Sequence, residues 1–472
     1  MCAPKNISRR NFLGQASCAA VGSSALFSTL FNLRMASVAA AQSTPSSTED
    51  YKALVCIFLG GGNDSFNMLV PRSGTAYSDY RTTRSDLALS TSNLLALNVS
   101  NTDGRDFGIH NAMPEVQSLF NTGKSAMVCN VGTLVEPTTL ASLNSGSARL
   151  PLGLYSHSDQ IMQWQTSVPD QRSTSGWGGR IADLLESANS DQTVSMNISM
   201  SGNNTFQTGA QVSSFVAGSD AEGQEEESGL YDSLNPNPYQ ELLSTTVQNM
   251  IDQEYLHLFE RNYAGAVNSS IEGRLAYKRA LQSVSEFQTQ FPTNGIGGAM
   301  RTVAKTIAAR QALGKRRQTF FIMFGGWDHH DEVINAQNQM LAVVSQGINA
   351  LNSAMEEIGI ADKVTSFTAS DFGRTLTSNG RGSDHAWGGN QIVTGGAVSG
   401  GLLYGNYPEL YTGNSLDTGR GRLIPTTSTD EYFAELALWF GVSRSELPNL
   451  FPNLNRFYNL NSGSAPLGFM KS

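Results

Sequence analysis

The run Ala53-Leu-Val-Cys-Ile-Phe-Leu59, followed by Gly60-Gly61-Gly62-Asn63-Asp64, decides how this chain is read. Seven consecutive apolar residues without alternation suit a strand covered on both faces, as at the centre of a parallel sheet. The glycines let backbone approach closely and deliver an acid at the strand's carboxyl end. The turn lacks the G-x-G-x-x-G spacing of a dinucleotide fingerprint, and Asp64 would lie where a pyrophosphate should sit.

Working outward, further strand character lies at 125–131, 194–200, 319–324, 363–368 and 391–394. Helical patterns lie at 113–121, 159–165, 177–188, 240–263, 273–291, 300–313, 332–358 and 430–440. This alternation predicts an α/β fold with a mainly parallel central sheet flanked by helices. The stretch 202–238 breaks the pattern and is expected to be a loop-rich insertion. Its acidic run at 218–229 reads as a solvated loop, because the ligand spacing of an EF-hand calcium loop is absent.

The N-terminus carries Ser8-Arg9-Arg10-Asn11-Phe12-Leu13, the pattern of a twin-arginine export signal. A small-residue apolar stretch and Ala39-Ala40-Ala41 follow, and residues 1–41 hold Lys5, Arg9, Arg10 and Arg34 but no acid. The expected organisation is a signal peptide over 1–41, a polar linker over 42–50 and one α/β domain over 51–472. The expected location is the periplasm or the extracellular space, with the Tat translocase as a partner during export. The weakly apolar signal is a poor membrane span, so no stable membrane anchor is expected.

Loss of the signal moves the formal charge from −9 to −13, since four positive charges leave with it. That balance argues against a nucleic-acid partner. The remaining cysteines, Cys56 and Cys129, sit in apolar strand-like runs. Export permits a disulfide; buried thiols on neighbouring strands are the favoured reading.

Of six histidines, five lie beside turn residues or acids: His110, His157, His329, His330 and His385. His257 falls inside a plain helical pattern. Acids and imidazoles gather at four predicted loop positions: Asp64, the run Trp327-Asp328-His329-His330-Asp331, the run Asp371-Phe372-Gly373-Arg374, and Asp384-His385. Strand ends of a parallel sheet are where ligands bind, and this mixture of donors suits a divalent metal. Each cluster alone also reads as a helix cap or a structural ion pair.

In order along the chain, Gly-Gly-Asn-Asp64, Ser156-His157, Gly-Gly-Trp-Asp328-x-His330, Asp371-Phe-Gly-Arg374-Thr and Asp384-His385-x-Trp-Gly-Gly-Asn390 resemble the exported bacterial family of domain of unknown function 1501. That family is similar to the alkaline phosphatase and sulfatase superfamily. The resemblance implies an alkaline-phosphatase-like domain with one or two divalent ions: zinc, calcium, magnesium or manganese. It implies Asp328, His330 and His385 as ligands of one metal, with Asp64 and Asp371 at the other. Phe372 stands where phosphatases usually have His, which leaves the second site weak, empty or completed by His157 or His329. Ser156 at a helix start is the implied nucleophile, with a plain N-cap as the alternative and Ser65 and Thr133 as rivals. Arg374 is the implied anion holder. The expected activity is a metal-dependent hydrolase of phosphate or sulfate esters, with an anionic ester as substrate. The alternative is a non-catalytic metal-binding or assembly protein; a redox enzyme finds no cofactor motif.

Overall fold

The computed structural model describes residues 50–102, 104–218, 234 and 236–471. The signal segment, the expected linker as far as residue 49 and the acidic run from residue 219 lie outside the described residues.

The apolar run over 53–59 lies in strand β1 (Lys52–Leu59). A small sheet follows, from β2 (Leu69–Pro71), β3 (Leu94–Ala96) and β4 (Phe107–His110), with helix α1 (Gly74–Arg84) between the first two. After α2 (Pro114–Asn121) come β5 (Ser125–Gly132), α3 (Leu140–Asn144), α4 (His157–Thr166) and α5 (Trp177–Leu185). Then β6 (Asn197–Ser199) and β7 (Phe215–Val216) precede α6 (Pro238–Ile251), α7 (Leu258–Gln282) and α8 (Gly295–Ala308). The remainder runs β8 (Arg317–Phe324), α9 (Val333–Glu357), β9 (Val364–Ser370), β10 (Gly389–Gly395), β11 (Leu403–Tyr404), β12 (Thr427–Ser428), α10 (Thr429–Phe440) and α11 (Leu447–Leu450).

The large sheet has the order β11-β5-β10-β9-β1-β8-β6-β7, with β12 also on β5. β1 lies parallel to both β8 and β9, whereas β10 runs antiparallel to both β9 and β5. The sheet is thus mainly parallel with one reversed strand. Alternate residues of β1 show why its sequence is uniformly apolar. Ala53, Val55, Ile57 and Leu59 enter one core layer with Val116, Met300, Val303, Leu341 and Ile348. Leu54, Cys56 and Phe58 enter the other with Trp177, Ile181, Phe433 and Leu436. Helices cover both faces, so the strand meets no water.

Three sequence expectations change. The helical pattern over 240–263 breaks between Ile251 and Leu258, and His257 is the N-cap of α7, with Nδ1 accepting from Phe259 N at 3.3 Å. The small sheet and α1 were not foreseen; their strands are only three or four residues long, too short for a period to show. Cys56 and Cys129 are both free and buried, as favoured, but their strands are separated by β9 and β10, and they belong to opposite core layers. No helix among the described residues is long and apolar enough to cross a membrane.

Asp430, in the first turn of α10, is fully buried and receives the Ser167 hydroxyl on Oδ1 at 2.6 Å, while Oδ2 has no partner. Burial pushes this carboxyl up to about 7. Between its unfolded value of about 4 and that value, the folded chain holds a proton that the unfolded chain lacks. Its contribution is therefore complete below about pH 4 and lost as pH rises through 7, with a slope approaching ~1.4 kcal/mol per pH unit. Asp430→Asn should flatten that slope, raising the urea midpoint relative to the parent at pH 8 and not at pH 4; equal shifts at both would contradict it.

Candidate metal centre

Four loops meet at one edge of the sheet. The turns leaving β1 and β8 are stitched together, since Gly60 N donates to Phe324 O at 2.9 Å and Trp327 N to Gly60 O at 3.1 Å. Gly61 has φ +121°, and a Cβ there would stand 2.5 Å from Asp328 N. The glycine run is thus explained by close passage of the Asp328 loop. Gly61→Ala should displace that loop at a cost of about 1–3 kcal/mol in strain, read as a lowered urea midpoint; an unaltered midpoint would count against this role.

β9 delivers Asp371, whose Oδ1 accepts from Gly61 N at 3.0 Å. His385 arrives differently, just ahead of the reversed strand β10, whose amino end lies at the same sheet edge as the carboxyl ends of its neighbours. His157 is the first residue of α4. The preceding Tyr155 has φ +72°, a left-handed conformation that is costly for a non-glycine residue. In it, the Tyr155 carbonyl lies 2.9 Å from His385 Nδ1.

Three imidazoles converge through Nε2. His385 Nε2 lies 3.1 Å from His157 Nε2 and 3.0 Å from His330 Nε2. Asp328 Oδ1 is 3.1 Å from His385 Nε2 and 3.0 Å from His330 Nε2; its Oδ2 is 3.4 Å from His157 Nε2. One ligand atom each from His157, Asp328 and His385 all lie within 4.8 Å of one another.

Each Nδ1 faces an acceptor: Asp371 Oδ2 at 2.7 Å for His157, Asp384 Oδ1 at 3.0 Å for His330, and the Tyr155 carbonyl for His385. A carbonyl only accepts, so His385 Nδ1 carries the hydrogen and its neutral ring offers a lone pair at Nε2. Wherever Asp371 and Asp384 accept, the hydrogen likewise sits on Nδ1 of His157 and of His330. Burial acts to raise Asp384, but hydrogen bonds from Asn379, His330 and Arg420 outweigh it and hold it down at about 2. Burial pushes Asp371 up, opposed by the Gly61 N–H and His157. Burial lowers His385, keeping its ring neutral. Asp328 resists burial and stays below the ordinary carboxylate range because the Arg374 guanidinium bonds to it. Three lone pairs and a carboxylate about 3 Å apart repel one another unless a cation lies among them. The donor set therefore fits a metal ion, with the outer acceptors fixing each ring.

The candidate residues fall into place unevenly. Asp328, His330 and His385 come together, joined by His157. Asp371 reaches the centre only through His157, which takes its Oδ2 while Gly61 takes Oδ1. Asp64 is held elsewhere: it is fully buried, with Oδ2 2.5 Å from Arg84 Nη2 and 3.2 Å from Ser383 Oγ. Arg84, on α1, also donates to the Thr375 carbonyl at 2.9 Å. Phe372 packs at a tilt against both His157 and His385, with centroids 4.8 and 4.6 Å away. An apolar ring thus fills space beside the cage.

Arg374 is buried and directed inward, with Nη1 2.7 Å from Asp328 Oδ1 and Nη2 bonded to the Ser383 carbonyl, so its guanidinium is already engaged. Ser156 is the N-cap of α4, yet its hydroxyl makes no capping bond; it meets Ser158 Oγ at 3.1 Å. Of its rivals, Ser65 Oγ accepts from Asn390 N and Thr133 Oγ1 from Gln160, both buried. His110 is buried and accepts from Ala112 N, and His329 packs on Trp327. Sequence reasoning did not foresee Arg84, Asp384 as an outer partner or the Tyr155 carbonyl. Asp384 carried a signal, being adjacent to His385; the other two had none.

Fold and site together define an α/β protein with a histidine–carboxylate cage at the strand-end edge of a mainly parallel sheet. The chain belongs to the family DUF1501, described as a protein of unknown function, whose model matches residues 51–419. No curated protein matches it. Similar solved structures include Ps i-CgsB in complex with k-i-k-neocarrahexaose, at 11% identity and TM-score 0.34, covering 87% of this chain and 78% of that one. Another is BT1596, a 2-O GAG sulfatase, at 9% identity and TM-score 0.30, covering 85% and 74%. Likeness at that level carries no argument about this site.

Proposed function

We propose that this chain is an exported metal-dependent hydrolase of phosphate or sulfate esters. The observation that supports it is the convergence of His157, His330 and His385 through Nε2 on Asp328, each ring held by an acceptor at Nδ1. Three imidazoles and one carboxylate favour a zinc-like ion over magnesium or calcium, which prefer oxygen donors. When bound, such an ion supplies Lewis acidity that polarises an ester oxygen.

The chain's own groups complete the reading. Ser156 adjoins His157 with its hydroxyl unused by capping, which supports it as the nucleophile over a plain N-cap. A helix N-terminus offers N–H groups and a positive dipole to an anion, which favours an anionic group near the first turn of α4, where Asp159 is the acid already present. Arg420, whose side chain is 45% exposed beside Asp384, and Arg381, 75% exposed beside Asp331, place positive charge next to the chain neighbours of His385 and His330. They replace Arg374 as candidates for anion holding. Asp371 keeps His157 oriented.

The experiment is elemental analysis of the purified protein and a panel of aryl phosphate and sulfate esters, with and without chelator. Chelator-sensitive turnover that Ser156→Ala abolishes is the expected result. Bound metal with no turnover of any ester would instead support a non-catalytic metal-binding or assembly protein. That second reading is favoured by the Ser156 hydroxyl, which bonds to Ser158 and to no group of the cage.

A further inference from the structure

Behind the cage lies a second layer of buried charge that the hydrolytic reading does not use. Arg84 and Asp64 form one fully buried pair, and Arg374 reaches from a buried position to Asp328, whose side chain is 42% exposed. Ser383 joins the two. Its hydroxyl lies 3.2 Å from Asp64 Oδ2 and 3.4 Å from Arg374 Nε, and its carbonyl accepts from Arg374 Nη2. Arg84 in turn grips the chain just past Arg374, through the Thr375 carbonyl. Apart from the cage imidazoles, Arg374 is the group bonded to the Asp328 carboxylate among the described residues.

We propose that Arg374 is a positioning residue for the metal site: braced by Ser383 and the Asp64–Arg84 pair, its guanidinium fixes Asp328 facing the three imidazoles. The physical need follows from the loop. Asp328 follows Gly325-Gly326-Trp327, where Gly326 takes φ +95°, and its side chain is 42% exposed. A guanidinium is planar and rigid, so Nη1 holds the carboxylate while Nη2 and Nε hold Ser383. Removing that brace frees the carboxylate to rotate, and the imidazoles lose their fixed negative partner. The burial of Asp64 and Arg84 acquires a purpose on the same ground, because their pair anchors the brace from behind.

The inference rests on the proposed metal site, so the test separates the two. Full-length protein is loaded with cobalt(II) as a probe, its affinity is measured by competition against a chelator, and its visible spectrum is recorded. Arg374→Gln should bind cobalt about 10–100-fold more weakly, the usual effect of losing an outer partner of a ligand, with an altered spectrum. Arg374→Lys should fall between, since an ammonium supplies charge but cannot span Asp328 and Ser383. Ser383→Ala keeps every charge and should shift affinity the same way by less. If Arg374→Gln does not fold, the other two variants decide. Parent-like affinity and spectrum in Arg374→Lys and Ser383→Ala would overturn the proposal, provided that His385→Ala loses the ion. A parent protein that binds neither cobalt nor zinc would instead overturn the metal site itself.

Discussion

On the proposed metal site, His385→Ala, and separately Asp328→Ala, should abolish metal binding by the purified protein. His385 stands at the centre of the cage, about 3 Å from both other Nε2 atoms and from Asp328 Oδ1. Its loss removes the ligand that adjoins all three of the others, so affinity should fall by more than the roughly 10–100-fold typical of an outer partner. Neither residue belongs to a core layer, so near-parent far-ultraviolet circular dichroism is expected for the chelated proteins. Elemental analysis checks the expectation: unchanged metal content in both variants would mean that the ion, if any, lies elsewhere. Asp371→Asn should have a milder effect, because Asp371 meets the cage only through His157 while its other oxygen accepts from Gly61 N.

The second large effect is on stability. Asp64→Ala leaves the Arg84 guanidinium buried without its carboxylate, and breaking a buried pair by removing one partner costs about 3–5 kcal/mol. The loss should appear in urea unfolding whether or not chelator is present. A residue whose main role was to hold a metal would show the opposite pattern, destabilised only when metal is supplied to the parent. Asp64→Leu combined with Arg84→Met should recover much of the loss, since apolar residues of similar volume replace such pairs at little cost.

Much of the scaffold was legible locally. An unbroken apolar run reports burial on both faces, and β1, β5 and β8 each carry one, whereas β9 is equally buried with Thr and Ser between its apolar residues. The glycines and acids at their ends marked the edge where side chains gather. Pairing was less legible. The reversal of β10 is invisible in seven buried residues, because a strand covered on both faces reads alike in either direction. That reversal is what returns His385 to the carboxyl ends of the parallel strands. Asp64 looked like a ligand because it followed three glycines; its partner Arg84 lies on a helix twenty residues on, with no pattern linking them. His157 was overshadowed by its neighbour Ser156, since a motif names adjacent residues without saying which side chain turns inward.

The sequence by itself determined the α/β class, the segments that furnish the cage and the acidic charge balance, because these depend on composition and short periods along the chain. The tertiary structure alone decided which atoms meet. It drew Asp64 into a buried ion pair with Arg84 and the buried Arg374 onto the part-exposed Asp328, turned Asp371 to the far side of His157, and brought the Tyr155 carbonyl onto His385. The physical reason is that a coordination shell is set by angles and distances of about an ångström among residues up to 228 positions apart. Spacing in sequence carries no such information until the strands have paired.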